Sequence, residues 1–141
     1  MREAFLKALF NLAKADSKVM LLTGDLGYGV FEGFEKKYPN QYLNVGVAEQ
    51  NMMGVASGLA LEGRKIFTYS IGNFPTLRCL EQIRNDACYH ELNINIVCSG
   101  GGFSYGALGM SHHATEDLGI MRSLPNVTVV APATSFEVEQ A

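Results

Sequence analysis

Short apolar runs alternate with amphipathic segments along the whole chain, and this alternation constrains the fold more than any other feature. The runs are "KVMLLTG" (18–24), "QYLNVGV" (41–47), "KIFTYSI" (65–71), "NINIVCS" (93–99) and "NVTVVAPA" (126–133). Each is short and rich in β-branched or aliphatic residues, and each reads as a strand. Between them lie segments of helical period. In residues 2–16, Phe5, Ala8, Leu9, Leu12 and Ala13 share one face. In residues 48–61, Ala48, Met52, Val55, Ala56 and Leu59 do the same, and Gly63 closes the helix. "FEGFEKKYP" gives a short helix stopped by Pro39, and 75–89 gives a helix with Pro75 in its first turn. "TEDLGIMRSLP" (115–125) gives one with Thr115 as its cap, and "TSFEVEQA" (134–141) opens another. Strands that run apolar through and alternate with helices belong to a mostly parallel sheet covered on both faces, a three-layer α/β/α architecture. One domain over 1–141 is expected. Because the last helix has barely begun where the sequence stops, the chain is expected to be a C-terminally truncated piece of a longer enzyme.

Charge and composition narrow the function. Net charge is −3 with no basic run, which gives nucleic acid no cationic face. No apolar stretch is long enough to span a bilayer, and no signal peptide follows Met1. The cysteines, Cys79, Cys88 and Cys98, form no CxxC pair and fit a reduced, cytoplasmic compartment.

Three short patterns imitate known sites. "GFSYG" (102–106) matches a serine-hydrolase elbow, but no apolar helix follows it and His112 comes too soon for a triad. "GDL" (24–26) with Asn51 approaches a diphosphate–magnesium motif, but the glycine at its third position is missing and Asn51 falls inside a helix. "SHH" with Glu116 and Asp117 lacks a third ligand at a recognised spacing, so no metal site is assigned. All the same, the segment holding two of these, "GGGFSYGALGMSHHA" (100–114), is a long glycine-rich loop of the kind that carries function.

Glu49 stands out in "VGVAEQNMMG" (45–54), a lone acid where an apolar strand passes into an apolar helix. Two readings are open from the residues alone. A first-turn glutamate is favoured by the helix dipole. A carboxyl kept dry by apolar neighbours is instead able to share a proton with a ligand nitrogen.

"YLNVGVAEQNMMGVASGLALEGRKIFTYSIGNF", continued by "GMSHHATEDLGIMRSLPNVTVVAPAT" and opened by "MREAF", resembles the pyrimidine-binding domain of the transketolase family of thiamine diphosphate enzymes. The resemblance covers nearly the whole chain, and it implies the thiamine diphosphate-binding fold of that domain. In the family the glutamate matching Glu49 hydrogen-bonds the cofactor's pyrimidine nitrogen and shares the proton that activates it. Phe74 matches the aromatic that stacks on the pyrimidine; this segment is one residue longer than in relatives, which makes Tyr69 a second candidate. Asp25 matches an aspartate near the cofactor. His112 matches a histidine at the reacting carbon of the substrate, with His113 beside it as a further substrate contact.

The departures concern substrate. An aspartate four residues before the histidine is Leu108 here, an upstream loop histidine is replaced within Ser99–Gly101, and a serine that holds sugar phosphate falls near Gly29. The implied activity is transfer of a two-carbon ketol unit between sugars or sugar phosphates. Magnesium and the cofactor's diphosphate would be held by a separate domain or subunit. Two rivals are the beta chain of a 2-oxo acid dehydrogenase or decarboxylase, which uses the same glutamate, and a non-catalytic binding module of the same fold. Gly54 and Gly58, one turn apart, further predict a homodimer, against close packing within one chain.

Overall fold

A computed structural model describes residues 1–141. Four parallel strands form one sheet: β1 (Val19–Thr23), β2 (Tyr42–Asn44), β3 (Lys65–Ile71) and β4 (Ile94–Ser99), in the order β2-β1-β3-β4. Registers run Leu21 to Tyr42, Leu21 to Phe67 and Phe67 to Asn95. β1 is buried along its whole length, which explains its uninterrupted apolar run.

Successive strand residues point to opposite faces and build two cores. On one face Val19, Leu21, Phe67 and Tyr69 pack with Leu9 and Ala13 of α1 (Arg2–Ala15) and with Phe34 of α2 (Glu32–Lys37). On the other, Met20, Leu22 and Ile66 pack with Met52 and Ala56 of α3 (Glu49–Leu61). That second layer continues through Met53 to Cys79, Ile83 and Met121. The expected three-layer α/β/α arrangement is therefore present.

Several elements differ from the sequence expectation. Residues 126–133 form no strand, and β4 remains a sheet edge. The alternation is real: Val127 and Val129 turn inward against the second core while Thr128 and Val130 face out. Burial is thus satisfied without a ladder. The segment starts at Asn126 in the left-handed region (φ 58°) and reaches Pro132, which has no N–H to give. The helix expected over 75–89 begins earlier, as α4 (Asn73–Leu77), and is broken before α5 (Leu80–Gln82) and a π-helical stretch over Ile83–Cys88. α6 covers only Asp117–Met121, and Thr115 does not cap it; the Thr115 hydroxyl donates to Glu116 instead. α7 (Ser135–Gln140) opens with a full capping box from Thr134 and Glu137 and is tied to α1 by Lys7–Glu139 at 3.1 Å.

The buried helix faces also shift. On α1 the fully buried residues are Ala4, Leu9 and Ala13, while Leu12 is exposed, so the stripe is narrower than its period allowed. On α3 the stripe includes Glu49, Met53 and Ser57, because this helix covers both halves of the second core. After β1 the chain turns at Gly27 (φ +91°), where an added Cβ would lie 2.4 Å from the buried Phe31 ring.

Gln41 ties the first layer together. Its buried amide Nε2 donates to the carbonyls of Val19 at 2.8 Å, Asp16 at 3.1 Å and Ala13 at 3.3 Å, linking the end of α1 to the start of β1. Gln41→Leu takes this donor from the Val19 and Ala13 carbonyls, while the Asp16 carbonyl keeps the Val19 N–H at 3.2 Å, and a loss of about 1–3 kcal/mol is expected. In urea this appears as a lower unfolding midpoint with an unchanged slope.

Candidate functional site

In open parallel sheets, ligands collect outside the carboxyl ends of the strands, where the strand order reverses. Here the chain passes from β1 to β2 on one side and returns to β3 on the other, so the reversal lies between β1 and β3. The residues singled out in the sequence gather around that end.

Glu49 opens α3, directly after the loop that leaves β2. Only 1% of it is exposed. Its backbone position is favoured by the helix dipole, and its side chain lies against the end of β1, where a Cβ on Gly24 would make only ordinary contact with Glu49 Cγ, at 3.6 Å. Its one side-chain hydrogen-bond partner is Arg78, whose Nη1 donates to Oε2 at 2.6 Å. Gln50 Nε2 donates to the Arg78 carbonyl at 3.1 Å and holds the arginine's backbone against α3. Next door, the pKa of the Cys79 thiol is pushed up to about 11, by burial first and then by the negative charge of Glu49.

Phe74 lies in α4, just past β3. The Arg78 guanidinium sits over its ring, 4.7 Å from the centroid, and the His112 ring meets its edge at 5.2 Å. His112 Nδ1 lies 3.0 Å from Ser111 Oγ, and Asn73 Nδ2 donates to the Ser111 carbonyl at 2.6 Å. The loop over 100–114 is closed at its neck by paired hydrogen bonds between Gly102 and Ala114, at 2.8 and 2.9 Å. Two short 3-10 turns shape it, Gly106–Leu108 and Met110–His112, and so the histidine is held on a folded loop.

Asp25 follows β1 in the left-handed region (φ 58°). Asn44 at the end of β2 locks it there: Asn44 Oδ1 accepts from the Asp25 N–H at 2.9 Å and from Gly46 N–H at 3.0 Å, and its Nδ2 donates to Asp25 Oδ1 at 3.1 Å. The Asp25 carboxylate beside Tyr28 is the main cause raising the pKa of its hydroxyl, with desolvation next.

Two candidates lie elsewhere. Tyr69 belongs to the α1-side core, stacked on Phe5 at 6.1 Å and edge-on to Phe31 at 4.7 Å, on the sheet face away from α3. His113 packs within the loop, its ring 4.9 Å from that of Phe103 and its Nε2 3.3 Å from the Gly106 carbonyl. Glu49, Phe74 and His112 are therefore brought into one row, with Arg78 between the first two. Asp25 stands at the neighbouring strand end.

Sequence reasoning missed Arg78 and Arg2. Arg78 follows Phe74 by four residues, a spacing that would put both on one helix face, and that was the available signal. Arg2 lines a cavity of about 220 Å³ with Tyr28, Tyr69, Ser99 and Tyr105, again at the carboxyl ends of the strands. Gly100 (φ +78°) makes room here, since a Cβ on it would overlap the Tyr105 ring at 2.1 Å. A larger groove of about 410 Å³ lies beside Glu91 and Asn126, away from these residues. No three His, Cys, Asp or Glu side chains converge as a metal site. No helix is long and apolar enough to cross a membrane.

Comparison with known proteins places these features. The family model for the transketolase pyrimidine-binding domain matches residues 1–141. The chain is 36% identical over 140 residues to an apulose-4-phosphate transketolase subunit of Phocaeicola vulgatus, covering 99% of this chain and 45% of that protein. It is 34% identical over 142 residues to a 6-deoxy-6-sulfo-D-fructose transketolase subunit from a Clostridium species, covering 100% of this chain and 44% of that protein. Among solved structures, a split-gene transketolase described as an inactive beta4 tetramer superposes with a TM-score of 0.86 at 40% identity, covering 98% of this chain and 44% of that one. The chain thus spans less than half the length of these relatives. With a parallel α/β/α sheet, a buried acid at the head of α3 and a family match from end to end, the chain belongs to the transketolase pyrimidine-binding domain family.

Proposed function

We propose that residues 1–141 are the pyrimidine-binding domain of a thiamine diphosphate-dependent transferase that moves a two-carbon ketol unit between sugars. The observation that carries this reading is the buried Glu49 and the Phe74 ring at the carboxyl end of the sheet, bridged by one planar guanidinium, that of Arg78. A buried carboxyl next to an aromatic face suits a flat heterocycle bearing N–H groups, and the guanidinium now on Phe74 has the same planar, donating character. When bound, thiamine diphosphate supplies the nucleophilic carbon for ketol transfer.

The chain's own residues serve that chemistry in stated ways. Glu49 would share a proton with the pyrimidine nitrogen, in a pocket where little water competes for the hydrogen bond. Phe74 fixes the ring plane. His112, steadied by Ser111 and by Asn73 through the Ser111 carbonyl, would stand at the reacting carbon of the sugar. Asp25, locked by Asn44, lies near the cofactor. Arg2 offers a cation to an anionic sugar substituent in the tyrosine-lined cavity. It matters more here because Leu108 and Gly29 bring no hydrogen-bonding side chains to that task. Tyr69 in this reading supports the cavity wall, and His113 shapes the loop.

Magnesium and the diphosphate fall, in this reading, to a second domain or subunit; two of the relatives are themselves named as transketolase subunits. A Cβ added at Gly54 or Gly58 would meet no other part of the chain within 4 Å, which leaves that stripe of α3 open for a second copy. The three cysteines are free, and we place the protein in the reducing cytoplasm. The test is reconstitution with the diphosphate-binding subunit. Ketol transfer from a ketose to an aldehyde, dependent on thiamine diphosphate and magnesium, is the expected result, from a complex whose mass contains two copies of each chain. Turnover of a 2-oxo acid instead, or no cofactor binding at all, would overturn it.

A further inference from the structure

Arg78 has no place in the chemistry above, yet it occupies the centre of the site. Its guanidinium makes two contacts at once. One N–H donates to the buried Glu49 carboxylate at 2.6 Å, and the planar group lies over the Phe74 ring at 4.7 Å. Those are the two contacts that the proposed function requires of the pyrimidine: a hydrogen bond at its edge and an aromatic face beneath it. A guanidinium and an aminopyrimidine share planarity and N–H donors, and both stack on aromatic rings.

We propose that Arg78 is an internal placeholder, whose guanidinium fills the pyrimidine position in the cofactor-free protein and swings out when the cofactor enters. The inference rests on the thiamine diphosphate reading. Three observations support it. Glu49 is 1% exposed and has no other side-chain hydrogen-bond partner, so an empty pocket without Arg78 would leave a buried carboxylate unpaired. Arg78's own side chain is 46% exposed, so its outward path into water is open. Its backbone is held by Gln50, and only the side chain need move. The placeholder keeps the site ordered before loading, at the cost of competing with the ligand. If the Arg78-out state is populated about one time in ten, the apparent affinity is about tenfold weaker than the intrinsic one.

The experiment uses the full-length protein assembled with its diphosphate-binding subunit, and compares wild type with Arg78→Ala. Calorimetric titration with thiamine diphosphate and magnesium is expected to give a Kd about tenfold tighter for the variant. The cofactor-free variant is expected to melt lower than cofactor-free wild type, and its melting shift on loading to be larger. Ethylguanidinium, against an equal concentration of sodium chloride, is expected to raise the melting point of the cofactor-free variant and to weaken its cofactor binding competitively. A merely structural arginine would allow the melting rescue but not the competition with cofactor. Equal or weaker cofactor binding by the variant overturns the placeholder, as does indifference to ethylguanidinium. Should Arg78→Ala fail to fold, Arg78→Met keeps the apolar stem and carries the same expectations for affinity. Absence of cofactor binding by wild type as well would instead overturn the thiamine diphosphate reading, and the placeholder with it.

Discussion

Glu49→Gln in the reconstituted enzyme is expected to lower kcat by about 10²–10⁴ at saturating cofactor, the usual worth of a positioned proton-sharing group. Glutamine keeps the length and can still meet a ring nitrogen with a hydrogen bond. It cannot give up or take back a proton. The fold should tolerate the change well. The carboxylate removed is buried, so its desolvation penalty goes with it, while the partner left behind, Arg78, is nearly half in water and hydrates readily. Melting should therefore change little while turnover collapses. Steady-state kinetics on the complex, with cofactor affinity measured separately, checks this. Wild-type turnover by Glu49→Gln would remove Glu49 from the proton-sharing role.

Much of this site was legible in the sequence, and the unread part has specific causes. Glu49 was visible because an isolated acid in an apolar strand-to-helix turn breaks the local pattern. Its partner was not, because Arg78 lies 29 residues further on and reaches Glu49 only through the packing of α4 and α5 against α3. Phe74 and His112 were found separately, but their contact depends on a loop whose neck closes between Gly102 and Ala114, and no periodicity encodes that pairing. Tyr69 differs from these in its place in the sheet. Strand alternation puts it on the face of Leu21 and Phe67, and counting along "KIFTYSI" would have separated it from the α3 side. The fold behaved in a similar way. The apolar run of β1 and the β-branched and aromatic residues of β3 gave buried parallel strands. The alternating Val127 and Val129 gave burial without hydrogen-bonded pairing, a distinction that side-chain pattern does not carry.

Phe34→Ala should have the converse effect. Phe34 is fully buried and packs its ring edge-on against Phe10 at 5.3 Å, within the cluster that joins α1, α2 and β1. Removing it forfeits the transfer free energy of a phenyl ring and leaves a cavity that its neighbours fill only partly. A loss of about 3–5 kcal/mol is expected. At this chain length that corresponds to a fall in melting temperature on the order of 10–20 °C. Against a total stability of roughly 5–15 kcal/mol for a domain, the loss is a large fraction. Yet this core lies on the α1 face of the sheet, whereas Glu49 and Arg78 belong to the α3 face. Assembled with its diphosphate-binding subunit, the folded fraction should therefore bind thiamine diphosphate with wild-type affinity well below the new melting point. Calorimetric titration at low temperature, beside a melting curve, separates the two quantities. A matching loss of cofactor affinity would mean that the α1-side core transmits strain through the sheet to the Glu49 pocket, and that the two faces do not act independently.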